Sequence, residues 1–234
     1  MLKGKTTALD DLTDLEEAIY EIIKKVLNKN VIFQINSDLI EFCCQKVKLP
    51  EYKVYQILFS LLRRKFIVPG SSLTKEQILE NQNRALIFKQ IQEKPGMHIR
   101  ELCSILGKTS GVIRAHLEIL ENFDYIRRKT YDNPKLTLLF LKDYPEVYDD
   151  YFLIIKNEND QRIIQLLINK LSTISELSTQ MGVHHSTIQY HLEKLERLNL
   201  IVSVQTDQNS KYTFNRAKLD TFTKFLDEII PAHS

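Results

Sequence analysis

The chain has 234 residues, 43% of them hydrophobic and 26% charged, and a formal net charge of +2. That balance is of a globular protein, and six glycines, six prolines and three cysteines exclude a collagen, a disordered tail and a disulfide-stapled miniprotein. The charge is uneven, +1 over residues 1–80, +4 over 81–143 and −3 over 144–234, so the middle third is where a nucleic-acid face is expected.

Residues 1–10 contain no apolar run of the signal-peptide kind. No stretch approaches the roughly 18–20 apolar residues that span a bilayer. A cytoplasmic protein with no membrane partner is therefore expected. In residues 1–80 a first helix is predicted over 18–27. A turn at Leu49-Pro50-Glu51 then leads into a helix carrying Val54, Leu58 and Leu61 inward, and Val68-Pro69-Gly70-Ser71 reads as a truncated wing. Cys43 and Cys44 are helical neighbours whose side chains diverge, and Cys103 stands alone. Neither arrangement has the spacing of a zinc site or a disulfide framework, so no metal and no cofactor is expected.

Residues 81–143 read as helix (84–92), helix, turn, helix and a hairpin whose strands are 125–131 and 136–141. Gly107 stops one helix, Thr109 is suited to cap the next, and Ile113, Leu117 and Leu120 give that helix one inward face. Residues 144–157, acidic and aromatic, read as a helical linker. Residues 158–215 repeat the same plan. A helix over 160–170 precedes a capping box of Thr173 and Glu176, Gly182 ends that helix, and strands at 200–206 and 211–215 close the unit. Residues 216–234 form a C-terminal helix with Leu219, Phe222, Leu226 and Ile229 at helical spacing. Packing on its own domain and dimerisation are equal alternatives for that stripe.

The repetition is explicit. Residues 99–126 and 174–201 align without a gap, and 11 of 28 positions are identical, among them Gly107/Gly182, His116/His191 and Leu117/Leu192. Setting Ile67 on Ile126 places Leu58 on Leu117 and Val54 on Ile113, a third and degenerate copy. Helix, turn, helix and hairpin make a winged helix. The expected fold is mainly α with small β-hairpins, three tandem winged helices of which the first is degenerate.

Pro95-Gly96-Met97-His98-Ile99-Arg100-Glu101-Leu102, His116-Leu117 and the run Ser186-Thr187-Ile188-Gln189-Tyr190-His191-Leu192 resemble archaeal tandem winged-helix transcriptional regulators of the ArsR/MarR type. The resemblance covers residues 84–141 and 160–215. It implies double-stranded DNA as partner, with the second helix of each unit in the major groove and the wing along the backbone. The residues it points to in the middle copy are Lys108, Thr109, Ser110, Gly111, Arg114 and Ala115, with Arg114 able to read a guanine edge. Arg127, Arg128, Lys129 and Lys135 make that wing basic. The third copy offers His184, His185, Ser186, Gln189 and Tyr190, with Lys211 set against Asp207 on a nearly neutral wing.

Other features weigh against these roles. Glu118 and Glu193 face partly outward and repel phosphates, and His116 and His191 lie beside the buried stripe as packing or hydrogen-bonding residues. His184 and His185 lack further ligands for a metal site. After Cys103 the sequence runs Ser104-Ile105, where the ArsR metal-sensing segment needs a second cysteine. The sequence holds no phosphate-binding glycine loop, nucleophile elbow or HExxH, so no enzyme is expected. The alternative function is a tandem winged-helix interaction scaffold of the ESCRT-II kind, with incidental or RNA-directed nucleic-acid binding and a protein partner at the third copy.

Overall fold

The computed structural model describes residues 12–28, 32–131, 136–205 and 209–229. Lys135 and Asp207, and the wing turns they belong to, lie outside the described residues. Two compact units divide the chain, residues 1–144 and 145–234.

The first unit contains two winged helices in succession. In the degenerate copy, α1 (Asp14–Leu27), α2 (Ser37–Val47) and α3 (Glu51–Arg63) surround a core that includes Ile19, Ile23, Ile40, Cys43, Val54, Leu58 and Leu61. Burial pushes the Cys43 thiol up to about 11, which suits a core residue and not a reactive thiolate. α1 begins with a capping box in which the Thr13 backbone N–H donates to Glu16 at 3.0 Å. The same carboxylate accepts from Ser60 Oγ at 2.5 Å and Arg64 Nη1 at 3.2 Å, tying α1 to α3. Burial pushes its pKa up, but these donors outweigh burial and hold it below the ordinary carboxylate value. The wing of this copy shrinks to a single bridge, Ile67 with Thr74.

The second copy is complete. α4 (Gln82–Glu93), β1 (Met97–His98), α5 (Ile99–Leu106), α6 (Ser110–Asn122), β2 (Ile126–Thr130) and β3 (Thr137–Leu141) enclose a core of Ile87, Ile91, Leu102, Ile113, Leu117, Leu120 and Leu139. Each such side chain contributes about 1.5–3 kcal/mol through burial. The sheet has three strands, in the order β1-β3-β2. Sequence reading predicts only the hairpin, because two residues leave no periodicity to detect. Gly107 takes φ 60°, the left-handed cap that ends α5, and Gly182 repeats it at φ 67°.

In the second unit a 3-10 turn (Glu146–Tyr148) and α7 (Asp149–Ile155) precede α8 (Glu158–Asn169), α9 (Ile174–Met181), α10 (His185–Arg197), β4 (Ile201–Gln205), β5 (Ser210–Phe214) and α11 (Leu219–Ile229). Ser172 bridges Tyr212 where β1 pairs in the second copy.

Residues 148–154, inside the segment expected as an acidic helical linker at 144–157, contribute to this unit's core. Tyr148, Tyr151, Phe152, Leu153 and Ile154 are buried. Phe225 of α11 packs its ring 5.0 Å from Phe152 and 5.2 Å from Tyr151, and Tyr148 Oη donates to Glu228 Oε1 at 3.0 Å. The aromatic side chains decide this outcome. Their surface is too large to leave wet, and of the segment's carboxylates only Glu146 is exposed, while Asp149 is buried with the rings. Of the expected α11 stripe Phe222 is buried within the unit, its ring 5.1 Å from Tyr151, while Leu219, Leu226 and Ile229 are half-buried; Phe225, outside that stripe, is buried as well.

Candidate nucleic-acid interface

In the second winged helix the turn after Gly107 leaves Lys108, Thr109 and Ser110 exposed at the N-terminus of α6. Thr109 Oγ1 accepts from the Val112 backbone N–H at 3.5 Å, so its hydroxyl serves as the cap. The outward row of α6 is Gly111, Arg114, Ala115 and Glu118, all exposed. Arg114 Nε donates to Ser110 Oγ at 3.2 Å, which orients the guanidinium along the helix. Beyond its chain neighbours and the backbone of its own helix, nothing lies within 4 Å of where a Gly111 Cβ would stand among the described residues. Gly111 is the second residue of α6, and internal packing supplies no reason for a glycine there. Together with Ala115 it leaves a bare strip of backbone beside Arg114.

The wing is less free than its charge suggests. Arg127 Nη2 donates to the Tyr144 carbonyl at 2.9 Å, and its guanidinium lies 4.6 Å from the Phe140 ring centroid. Arg128 Nε stands 2.9 Å from Glu121 Oε2 of α6. Both arginines are half-buried and hold the hairpin against its own unit. Lys129 is exposed, with its ammonium 5.7 Å from the Tyr131 ring.

In the third winged helix His184 is the N-cap of α10. Its Nδ1 accepts from the Ser186 backbone N–H at 3.3 Å and lies 2.8 Å from Ser186 Oγ. His185, Ser186, Gln189 and Tyr190 are exposed beyond it, and Gln189 Nε2 donates to Glu193 Oε1 at 3.0 Å. Lys211 is half-buried on β5 opposite Val204. Among the described residues no group of three or more His, Cys, Asp or Glu side chains could hold a metal ion.

Behind the two outward faces the copies differ in charge at one point. The N-caps Asn81 and Asn157 correspond, which sets Arg84 of α4 on Asp160 of α8. In the third copy Asp160 is fully buried. Its Oδ1 accepts from His191 Nδ1 at 2.7 Å and its Oδ2 accepts from Lys194 Nζ, so one carboxylate ties α8 to α10 twice. In the second copy the matching histidine, His116, has a buried Nδ1 with no hydrogen-bond partner. Burial, then Arg84 and then Lys108 hold its pKa below the ordinary value of 6.5. Arg84 meanwhile donates from Nε to the Ile78 carbonyl at 2.6 Å. Sequence reading places both histidines beside the core but singles out neither Asp160 nor Lys194. The available signal is the alignment of the two N-caps, which puts a carboxylate at an inward position where its twin has an arginine.

Residues 81–128 and 161–203 each match the family model for bacterial regulatory proteins of the arsR family, a regulatory and not an enzymatic family. An uncharacterised HTH-type transcriptional regulator of Methanocaldococcus jannaschii is 29% identical over 147 residues, 63% of this chain. Those residues make up 37% of that protein's length. An ArsR-like transcriptional regulator from Rhodococcus sp. RHA1 is 24% identical with a TM-score of 0.32, over 36% of this chain and 76% of its own. A chain of the endosomal complex ESCRT-II aligns over 90% of this chain and 96% of its own at 15% identity and a TM-score of 0.25. At such TM-scores neither structure bears on function.

Proposed function

We propose, from two winged helices that match the arsR family of regulatory proteins, that the protein is a cytoplasmic transcriptional regulator that binds double-stranded DNA chiefly through its second winged helix. The observation that carries this reading is the outward row of α6. Gly111 and Ala115 let the helix backbone approach the floor of a major groove, and Arg114 stands between them with a guanidinium that can form two hydrogen bonds to guanine. Lys108 and Ser110, at the exposed N-terminus of α6, suit phosphate oxygens, which helix N-termini attract. On the wing, Lys129 and Lys135 supply phosphate charge, while Arg127 and Arg128 brace the hairpin that carries it.

α10 fits a supporting role. Its outward row of Ser186, Gln189, Tyr190 and Glu193 keeps the carboxylate that α6 has at Glu118 but is bulkier elsewhere, and Tyr190 is 61% exposed. Gln189 suits an adenine edge, and His185 and Lys211 suit phosphates. The exposed tyrosine ring and the neighbouring Glu193 and Glu196 also favour a protein partner at this copy. A homodimer through α11 has only the half-buried Leu219, Leu226 and Ile229 left to offer.

Fluorescence anisotropy on random-sequence duplex DNA across a salt series tests the main reading. The expected result is micromolar affinity at low salt, with log K falling steeply against log salt as counterions leave several phosphates. Absence of binding at low salt overturns it.

A further inference from the structure

The second and third winged helices fill one inward place with opposite charges. In the third, the Asp160 carboxylate is fully buried between α8 and α10, where it accepts from His191 Nδ1 and Lys194 Nζ. In the second, Arg84 stands at that place on α4 and is only 8% exposed. The gap-free alignment of the repeats sets Ile119 on Lys194. The cation has thus changed helices, and neither α4 nor α6 brings a carboxylate to meet it. Arg84 donates from Nε to the Ile78 carbonyl; among the described residues no acid pairs with it and neither Nη group has an acceptor. His116 occupies the register of His191, yet its buried Nδ1, the atom that bonds Asp160 in the third copy, has no hydrogen-bond partner. The charged groups that act on this imidazole are Arg84 and Lys108, both positive. A buried guanidinium without a counter-charge and an orphaned ring nitrogen each carry a free-energy cost that a shared acceptor removes.

We propose that Arg84, His116 and Lys108 form a binding site for a small carboxylate anion, which takes in the second winged helix the place that the Asp160 side chain fills in the third. The two Nη groups of Arg84 suit the paired oxygens of a carboxylate, and the Nδ1–H of His116 supplies a further donor from the facing helix. Lys108 is exposed and adds positive potential that draws an anion in, and His116 is only partly buried, which leaves a route from solvent. A bound carboxylate ties α4 to α6 as Asp160 ties α8 to α10, so occupancy braces the helix that carries Arg114. The inference does not rest on DNA binding by that helix.

NMR of the imidazole nitrogens in the full chain, with acetate replacing chloride at constant ionic strength, tests it. The His116 signals are expected to shift saturably, with a dissociation constant in roughly the millimolar range for so small a ligand. The His116 pKa is expected to rise, because a neighbouring anion favours the imidazolium. His191, which already holds Asp160, is the internal control and is expected to stay unmoved. Arg84→Gln is expected to weaken acetate binding about tenfold or more, the loss of charge-assisted hydrogen bonds. Lys108→Ala, at an exposed position that the fold does not need, is expected to weaken it about threefold. Arg84→Asp brings an internal carboxylate and is expected to abolish the acetate response. A His116 that shows no saturable shift at any acetate concentration overturns the proposal. So do equal shifts of His116 and the exposed His184 and His185, which would be a general ionic effect. A saturable shift that Arg84→Gln and Lys108→Ala both leave unchanged overturns the site by placing acetate elsewhere. An equal response to inorganic phosphate overturns the assignment to a carboxylate.

Discussion

Replacing Asp160 by alanine tests whether the third recognition helix is held in place by a buried charge. The side chain is 0% exposed and accepts from both His191 and Lys194, whose side chains are 7% and 20% exposed. A hydrogen bond to a charged group contributes about 1.5–3 kcal/mol. His191 sits deeper and loses its acceptor with no water to replace it. Lys194 can turn its ammonium toward solvent, so its share falls at the low end. The expected loss is therefore about 3 kcal/mol, within the range for breaking a buried pair. At about 4–8 °C per kcal/mol for a domain of this size, the transition of the 145–234 unit should fall by about 12 °C or more in differential scanning calorimetry. Hydrogen exchange should locate the loss, because the amides of α10 lose protection while those of α6 do not. A shift under about 3 °C, or equal loss of protection in α6, would refute the reasoning.

Arg114→Ala should cost about 1–3 kcal/mol in DNA affinity and relax the preference at one base pair, measured on a panel of selected and scrambled duplexes. Equal loss on every sequence would leave Arg114 a phosphate contact only. Lys129→Ala should weaken binding uniformly and lower the salt slope by about one. Arg127→Ala should in addition lower thermal stability, because it removes the bond to Tyr144 and the contact with Phe140. The folded-state pKa of His116 lies below its ordinary 6.5. Between those two values the unfolded chain holds the extra proton, so stability falls as pH drops from about 7 toward the folded value and levels off below it. Arg84→Asp, which takes away a cation and supplies a carboxylate, should raise the His116 pKa in an NMR titration; an unmoved pKa would mean that Arg84 has little influence on it.

The fold was legible because the repeat states its own rules. Gly107 and Gly182, the caps Thr109 and Thr173, and the inward residues Ile113, Leu117 and Leu120 each act through local geometry, which a sequence displays. What sequence hides is the state of a side chain after packing. Arg127 and Arg128 count as positive charge in either state, and only the fold reveals the Tyr144 carbonyl, the Phe140 ring and Glu121 around them. Residues 144–157 mislead for a related reason. Their carboxylates suggest solvent, yet burial of the aromatic rings outweighs the preference of the acids, and Asp149 is buried with them. Asp160 is a further step removed, since a lone aspartate near a helix start looks like an ordinary first-turn acid favoured by the helix dipole.

The three copies keep one internal plan and differ on the helix that would meet a partner. Val54, Ile113 and Ile188 hold equivalent inward places, as do Leu58, Leu117 and Leu192, and all six are at most 1% exposed. Outward, α3 carries aromatic rings, α6 carries glycine, alanine and one arginine, and α10 carries longer polar side chains with a tyrosine. A core position changes only at a cost of about 2–5 kcal/mol for a large-to-small substitution, whereas a surface position away from caps and buried pairs changes within about 0.5 kcal/mol. Repeats under those two constraints retain the fold and diverge in what they bind. On this argument the outward helix of each copy is free to take a different contact. Separate variants at Arg114 and Tyr190 should therefore alter two different measurements, namely base preference and partner binding. A single variant that abolished both would mean that the copies act as one surface.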